Sequence, residues 1–183
     1  MNADEALNKL LEGNKVYRNG KVCFDVGAAR EASKQGQKPF ATIVSCSDSR
    51  VVPEFIFNRN LGEIFVIRTA GNVVDNVCLG TIEYGVEHLH TPLLIILAHE
   101  KCGAVTAACG GGHCEGHIKD IVDEIKKHTN QNEVENASVE NAKGVVNCIM
   151  KKSKIVKKLV DEGKLKIVVM KYYFEDGRVE ILS

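Results

Sequence analysis

Three side chains have the types and spacing of a soft-metal site: Cys46, His99 and Cys102. Cys46 ends the apolar run that starts at Ala41, in the stretch ATIVSCSDSR that closes at Arg50. A second apolar run, Leu93 to Leu97, ends in Ala98-His99-Glu100-Lys101-Cys102-Gly103. Taken singly, each has a plainer reading: a cysteine packed as a small core residue, a structural histidine, a cysteine in a helix's first turn. Together they make the set of thiolates and imidazole that zinc prefers. Three protein ligands with a fourth position open is the catalytic arrangement of zinc. The His-x-x-Cys spacing sets Cys102 at a helix N-terminus, where the dipole and free N–H groups favour a thiolate.

Asp48 and Arg50 follow Cys46 at two-residue steps, so an extended strand end points all three the same way. An Arg-paired carboxylate stays ionised and oriented. It can accept a hydrogen bond from a hydroxide on the metal, or swing over as a fourth ligand and close the site. The cluster His113, Cys114 and His117 lies beyond a helix and three glycines, and reads as a solvated loop leading into a helix rather than as ligands.

These residues need strand ends to hold them. Ala41–Cys46, Glu63–Arg68, Leu93–Ala98 and Leu165–Met170 read as near-continuous apolar strands, the pattern of a buried parallel sheet. Helical spacing covers Ala3–Tyr17, Val26–Gln35, Val51–Asn58 with Pro53 near its start, Asp75–Leu89, Gly103–Ala108, His117–His128, Val139–Met150 and Ile155–Val160. Gly13-Asn14 suggests a wobble or early end of the first helix. Ala70-Gly71-Asn72 reads as a turn, Thr129–Glu135 as the longest loop, and Asp176-Gly177 as the turn of a closing hairpin into Arg178–Leu182. The expected fold is α/β: a mostly parallel four-stranded sheet flanked by helices, with an added edge strand. Residues 1–183 form one domain whose first 36 residues make an N-terminal helical arm suited to packing on a neighbouring subunit.

Bulk properties agree with such a domain. The 183 residues carry 24 basic and 24 acidic side chains, so charge does not point to nucleic acid. The acid-bearing start is unlike a signal peptide, and no apolar run approaches the roughly 20 residues that span a bilayer. Seven cysteines without a disulfide spacing suggest a reduced, cytoplasmic protein.

CSDSR followed by HxxC resembles the β-class carbonic anhydrases. LLEGNKVYRNG, GQKPF, GEIFVIRTAGN, GTIEYGVEHL and HEKCGAV extend the likeness over nearly the whole chain, most weakly from Gly110 to Val139. The resemblance implies one Zn2+ per chain on Cys46, His99 and Cys102, with Asp48 joining in a closed form only. It implies that Asp48 and Arg50 are the catalytic dyad and that Gln37 and the Gly103 N–H bind substrate. Phe65 and Tyr84 would line the carbon dioxide pocket from a second subunit, in a homodimer or homotetramer. The implied reaction is reversible hydration of CO2 to bicarbonate by zinc-held hydroxide. The family subgroup with an allosteric bicarbonate pocket has a tryptophan three residues before the first cysteine; Ile43 stands there, which argues against that regulation. Ala98 and Met170-Lys171 depart from the usual glycine and Gly-Ala.

Three other readings compete. Carbonyl sulfide or carbon disulfide could take the same hydroxide. A cysteine-nucleophile phosphatase would want arginine six residues after the cysteine, not four, and no Cys-x-x-Cys supports redox chemistry. A zinc-storage module would bind metal without turnover. His88, His90 and His128 could relay protons, though each reads more simply as a surface histidine.

Overall fold

The computed structural model describes residues 1–22, 25–111, 114–130 and 133–183. Cys23 and His113 lie outside them.

Five strands form one sheet in the order β2-β1-β3-β4-β5: β1 (Ala41–Cys46), β2 (Ile64–Thr69), β3 (Leu93–His99), β4 (Lys166–Tyr172) and β5 (Val179–Ile181). The first four are parallel and β5 is antiparallel to β4, as the apolar runs and the Asp-Gly turn predict. Every residue of β1 and β3 is buried, because helices cover both faces. One face meets α1 (Ala3–Arg18) and α3 (Pro53–Ile56), with Leu10, Ile43, Phe57 and Ile95 in its core. The other meets α4 (Asn76–Glu83), α7 (Val134–Lys152) and α8 (Lys154–Asp161) around Val44, Ile82, Ile96 and Ile149. A third cluster joins α5 (Gly103–Cys109) to α6 (Ile118–Lys126), and Cys46 and Cys102 sit at its edge. α2 (Val26–Ser33) buries Ala29 alone.

The elements depart from the sequence expectation in four places. α1 runs unbroken through Gly13-Asn14. A Cβ on Gly13 would stand 1.8 Å from the Phe57 carbonyl oxygen, so glycine is there for close packing, not to end the helix. Asn14, buried, donates to the carbonyls of Ile56 and Gly177 and ties α1 to its own chain. Ala6, Leu7 and Leu10 of α1 pack into its own chain's core, while Val22 and Val26 of the arm are exposed. Asp75 caps α4 as expected, but the helix passes into a π-helical turn at Tyr84–His88. α7 begins at Val134, which shortens the expected loop, and β4 extends through Lys171 to Tyr172.

Candidate metal centre

β1 has β2 on one side and β3 on the other, so the chain reverses its winding between β1 and β3. In open α/β sheets that reversal opens a crevice at the carboxyl ends of the strands. Pairing between β1 and β3 stops at Ser45 and Leu97. Asn72 fills the opening with its side-chain amide, which donates to Val44 O at 3.3 Å and Leu97 O at 2.7 Å. Cys46 is the last residue of β1, His99 the last of β3, and Cys102 caps α5.

The ligand atoms of these three buried residues all lie within 4.8 Å of one another, the two sulfurs 3.9 Å apart. His99 Nδ1 is 2.8 Å from the Glu100 carbonyl oxygen, which can only accept, so Nδ1 carries the ring proton. Nε2 is left with a lone pair, buried and without a hydrogen-bond partner. An orphaned imidazole nitrogen facing two thiols suits a soft cation, and these donors fit zinc.

Cys46 Sγ also accepts backbone N–H groups from Asp48 at 3.4 Å and Gly71 at 3.3 Å. Its pKa is lowered to about 4, first by the Cys102 thiol, then by His99 and these two amides, against the opposing effect of burial. Cys102 is pushed up, first by its bond to Cys46 and then by burial. Two thiols this close share one proton, and a cation between them would displace it. Gly71 has φ 62°, a conformation that favours glycine, and in it the N–H points at Cys46 Sγ.

Asp48 and Arg50 sit on a tight turn rather than on an extended strand, with Val51 N–H donating to Asp48 O. Arg50 grips the carboxylate with Nε at 3.0 Å and a terminal nitrogen at 2.8 Å. Arg50's hydrogen bonds are the main reason Asp48 is lowered to about 2. Arg50 is itself held over the Phe174 ring at 4.2 Å and reaches the Lys101 carbonyl at 3.4 Å. Arg68, from β2, braces the backbone carbonyls of Cys46 and Asp48. Asp48 stays outside the three-ligand group and faces Arg50. Gly103 follows Cys102 with open space where a Cβ would project.

The remaining residues singled out in the sequence lie elsewhere. Phe65 stands opposite Thr42, whereas Cys46 stands opposite Thr69. That four-residue separation is about 13 Å along the strands, toward their amino ends. Tyr84 packs there on Phe65, with ring centres 6.0 Å apart, and is 45% exposed. Gln37, before β1, lines a separate cavity of about 480 Å³ with Ser33, Leu61 and Glu63. The Gly71 amide, Arg68 and Phe174 were not foreseen; Ala70-Gly71-Asn72 showed in sequence only as a turn. Cys114 and His117 join no three-ligand group among the described residues.

A mostly parallel sheet carries at its crevice a buried Cys-His-Cys group that could hold a metal ion, which defines an α/β protein of that class. A profile described as carbonic anhydrase matches residues 41–179. Carbonic anhydrase 2 of Mycobacterium tuberculosis (strain CDC 1551 / Oshkosh) is 35% identical over 94% of this chain and 89% of its own. The carbonic anhydrase of Mycolicibacterium smegmatis is 34% identical over 97% and 92%. A tetrameric β-carbonic anhydrase from Sordaria macrospora superposes with TM-score 0.78 at 20% identity, covering 98% of this chain and 95% of that one. The chain belongs to the carbonic anhydrase family, and its fold is that of the β class.

Proposed function

We propose that this enzyme hydrates carbon dioxide reversibly to bicarbonate and a proton with one zinc ion per chain on Cys46, His99 and Cys102. The observation that carries the reading is the buried, unpartnered His99 Nε2 within 4.8 Å of both thiols. Zinc at this position would acidify a bound water enough to supply hydroxide near neutral pH.

The protein's own groups do the rest. Asp48, ionised throughout the working range, is the acceptor that orients the nucleophile, and Arg50 holds it off the metal in the open form. A swing of Asp48 onto the metal, releasing Arg50, would give the closed form. The Asp48 and Gly71 amides offset charge on Cys46 and fix its sulfur. The Gly103 N–H and the open space beside it provide for an oxygen of bicarbonate.

Gln37, Phe65 and Tyr84 are too far along the sheet to serve the same chain's metal. They suit the site of a second copy, and exposed Val77 and Tyr84 extend that apolar surface. We therefore assign a homodimer, able to pair again into a tetramer, as the catalytic unit. The free cysteines among the described residues support a reduced, cytoplasmic protein. No helix of the described residues is long and apolar enough to cross a membrane.

Stopped-flow measurement of CO2 hydration by the zinc-loaded enzyme, beside carbonyl sulfide, tests the proposal. Turnover of CO2 in wild type and its loss in His99→Ala are expected. Full zinc without CO2 turnover would mark a storage module, and preference for carbonyl sulfide would mark the other hydrolase.

A further inference from the structure

A second mixed-ligand group lies outside the site described above. Glu124, His128 and Cys148 present ligand atoms within 4.8 Å of one another. Glu124 is on α6 and His128 in the turn just beyond it, four residues on and over the same face. Cys148 faces them from α7. Gly144, one turn before Cys148, lets the two segments meet: a Cβ there would stand 2.4 Å from His128 Cβ. The three residues are half-buried and line a groove of about 400 Å³.

The histidine is already oriented. Asn141 donates its amide N–H to the Gly71 carbonyl at 2.7 Å, which turns its oxygen toward His128 Nδ1 at 3.0 Å. Nδ1 is therefore the protonated nitrogen, and Nε2 has a lone pair to offer. A metal-binding histidine commonly has its other ring nitrogen tied down in this way. Glu124 is ion-paired with Lys127, whose side chain is 65% exposed. Such a pair is weak in water and yields readily to a better partner.

We propose that Glu124, His128 and Cys148 bind a divalent cation of the zinc class, at a site separate from the Cys46 centre. A thiol and an imidazole select a soft or borderline ion. Lys127, Lys151 and Lys152 line the same groove, so bare electrostatic attraction of a hard ion such as magnesium or calcium is opposed. Affinity must come from coordination bonds, with the Cys148 proton released to solvent as the sulfur binds. Three protein ligands leave a position for water.

The test is to titrate cobalt(II) into the full-length enzyme whose Cys46 centre is already loaded with zinc. One further equivalent per chain should bind with near-ultraviolet thiolate-to-cobalt absorption, and zinc but not magnesium or calcium should displace it. Cys148→Ala should abolish that absorption while CO2 hydration and cooperative thermal unfolding stay unchanged. His128→Ala should weaken binding at least about tenfold. Absence of the extra equivalent in wild type would overturn the proposal, and so would an undiminished thiolate band in Cys148→Ala.

Discussion

Lys171 Nζ, on β4, lies 2.5 Å from Glu135 Oε2 in the first turn of α7. The other Glu135 oxygen accepts the Lys101 N–H at 3.0 Å, and Lys101 stands at φ 51° between His99 and Cys102 of the HEKC segment. The Lys171 side chain is only 6% exposed. Burial works to raise Glu135, but the Lys171 bond and the Lys101 amide outweigh it and hold the carboxyl below its ordinary value. This brace therefore fixes the loop whose carbonyl also receives Arg50. Glu135→Gln leaves Lys171 buried without its counter-charge. A loss of about 1–3 kcal/mol is expected in urea unfolding. An unchanged midpoint would show that the brace is dispensable.

Removing a proposed metal ligand tests the centre directly. Cys46→Ser and His99→Ala should each purify without zinc, because hydroxyl and methyl groups do not replace thiolate and imidazole. Elemental analysis reads the result. One zinc per chain at the Cys46 centre in either variant would refute the ligand assignment.

The Asp48–Arg50 pair should govern rate without governing metal content. Asp48→Asn keeps the shape but not the charge, and should lower kcat/KM at least about 100-fold with zinc retained. Arg50→Lys keeps the charge but loses the two-point grip, and should fall between that variant and wild type.

Two pH effects follow, of different origin. Asp48 is lowered from 3.8 to about 2 in the folded protein, so its contribution to stability is full above pH 3.8 and is lost as pH falls towards 2. The gap in stability between wild type and Arg50→Gln should close over that window; because Arg50 is 52% exposed, solvent keeps the gap small. Activity should move at the other end of the scale. Two thiolates leave the metal less able to acidify water than an all-histidine centre, so the rate should climb on the alkaline side of neutral. A rate flat between about pH 6 and 9 would contradict a two-thiolate centre.

Close packing at Gly13 gives a prediction remote from the chemistry. Gly13→Ala drives a methyl into the Phe57 carbonyl and should cost at least about 2 kcal/mol of stability, visible as a lower Tm.

The sheet and the Cys-His-Cys group were legible in the sequence for one reason: parallel strands buried on both faces read as apolar runs, with Cys46 and His99 at their ends and Cys102 in the turn that follows. Other features depended on contacts between segments distant in sequence. Gly13-Asn14 looked like a break because its reason for being there is Phe57, more than forty residues away. Lys171 drew notice only as a departure from the family pattern; its role needs Glu135 beside it. Glu124 and His128 have visible helical spacing, but Cys148 joins them only when α7 folds back over Gly144.

Cys46 has a serine on either side, Ser45 and Ser47. Because strand side chains alternate between faces, a one-residue slip of β1 against β3 would bring one of those hydroxyls to the crevice in place of the thiol. β1 is buried on both faces, where Thr42 hydrogen-bonds Thr91, and its packing opposes such a slip. A soft cation does not tolerate it, since it discriminates sulfur from oxygen. If zinc binds as proposed, only the native alignment sets a sulfur rather than a hydroxyl beside His99 and Cys102, so metal binding would report on the register of β1.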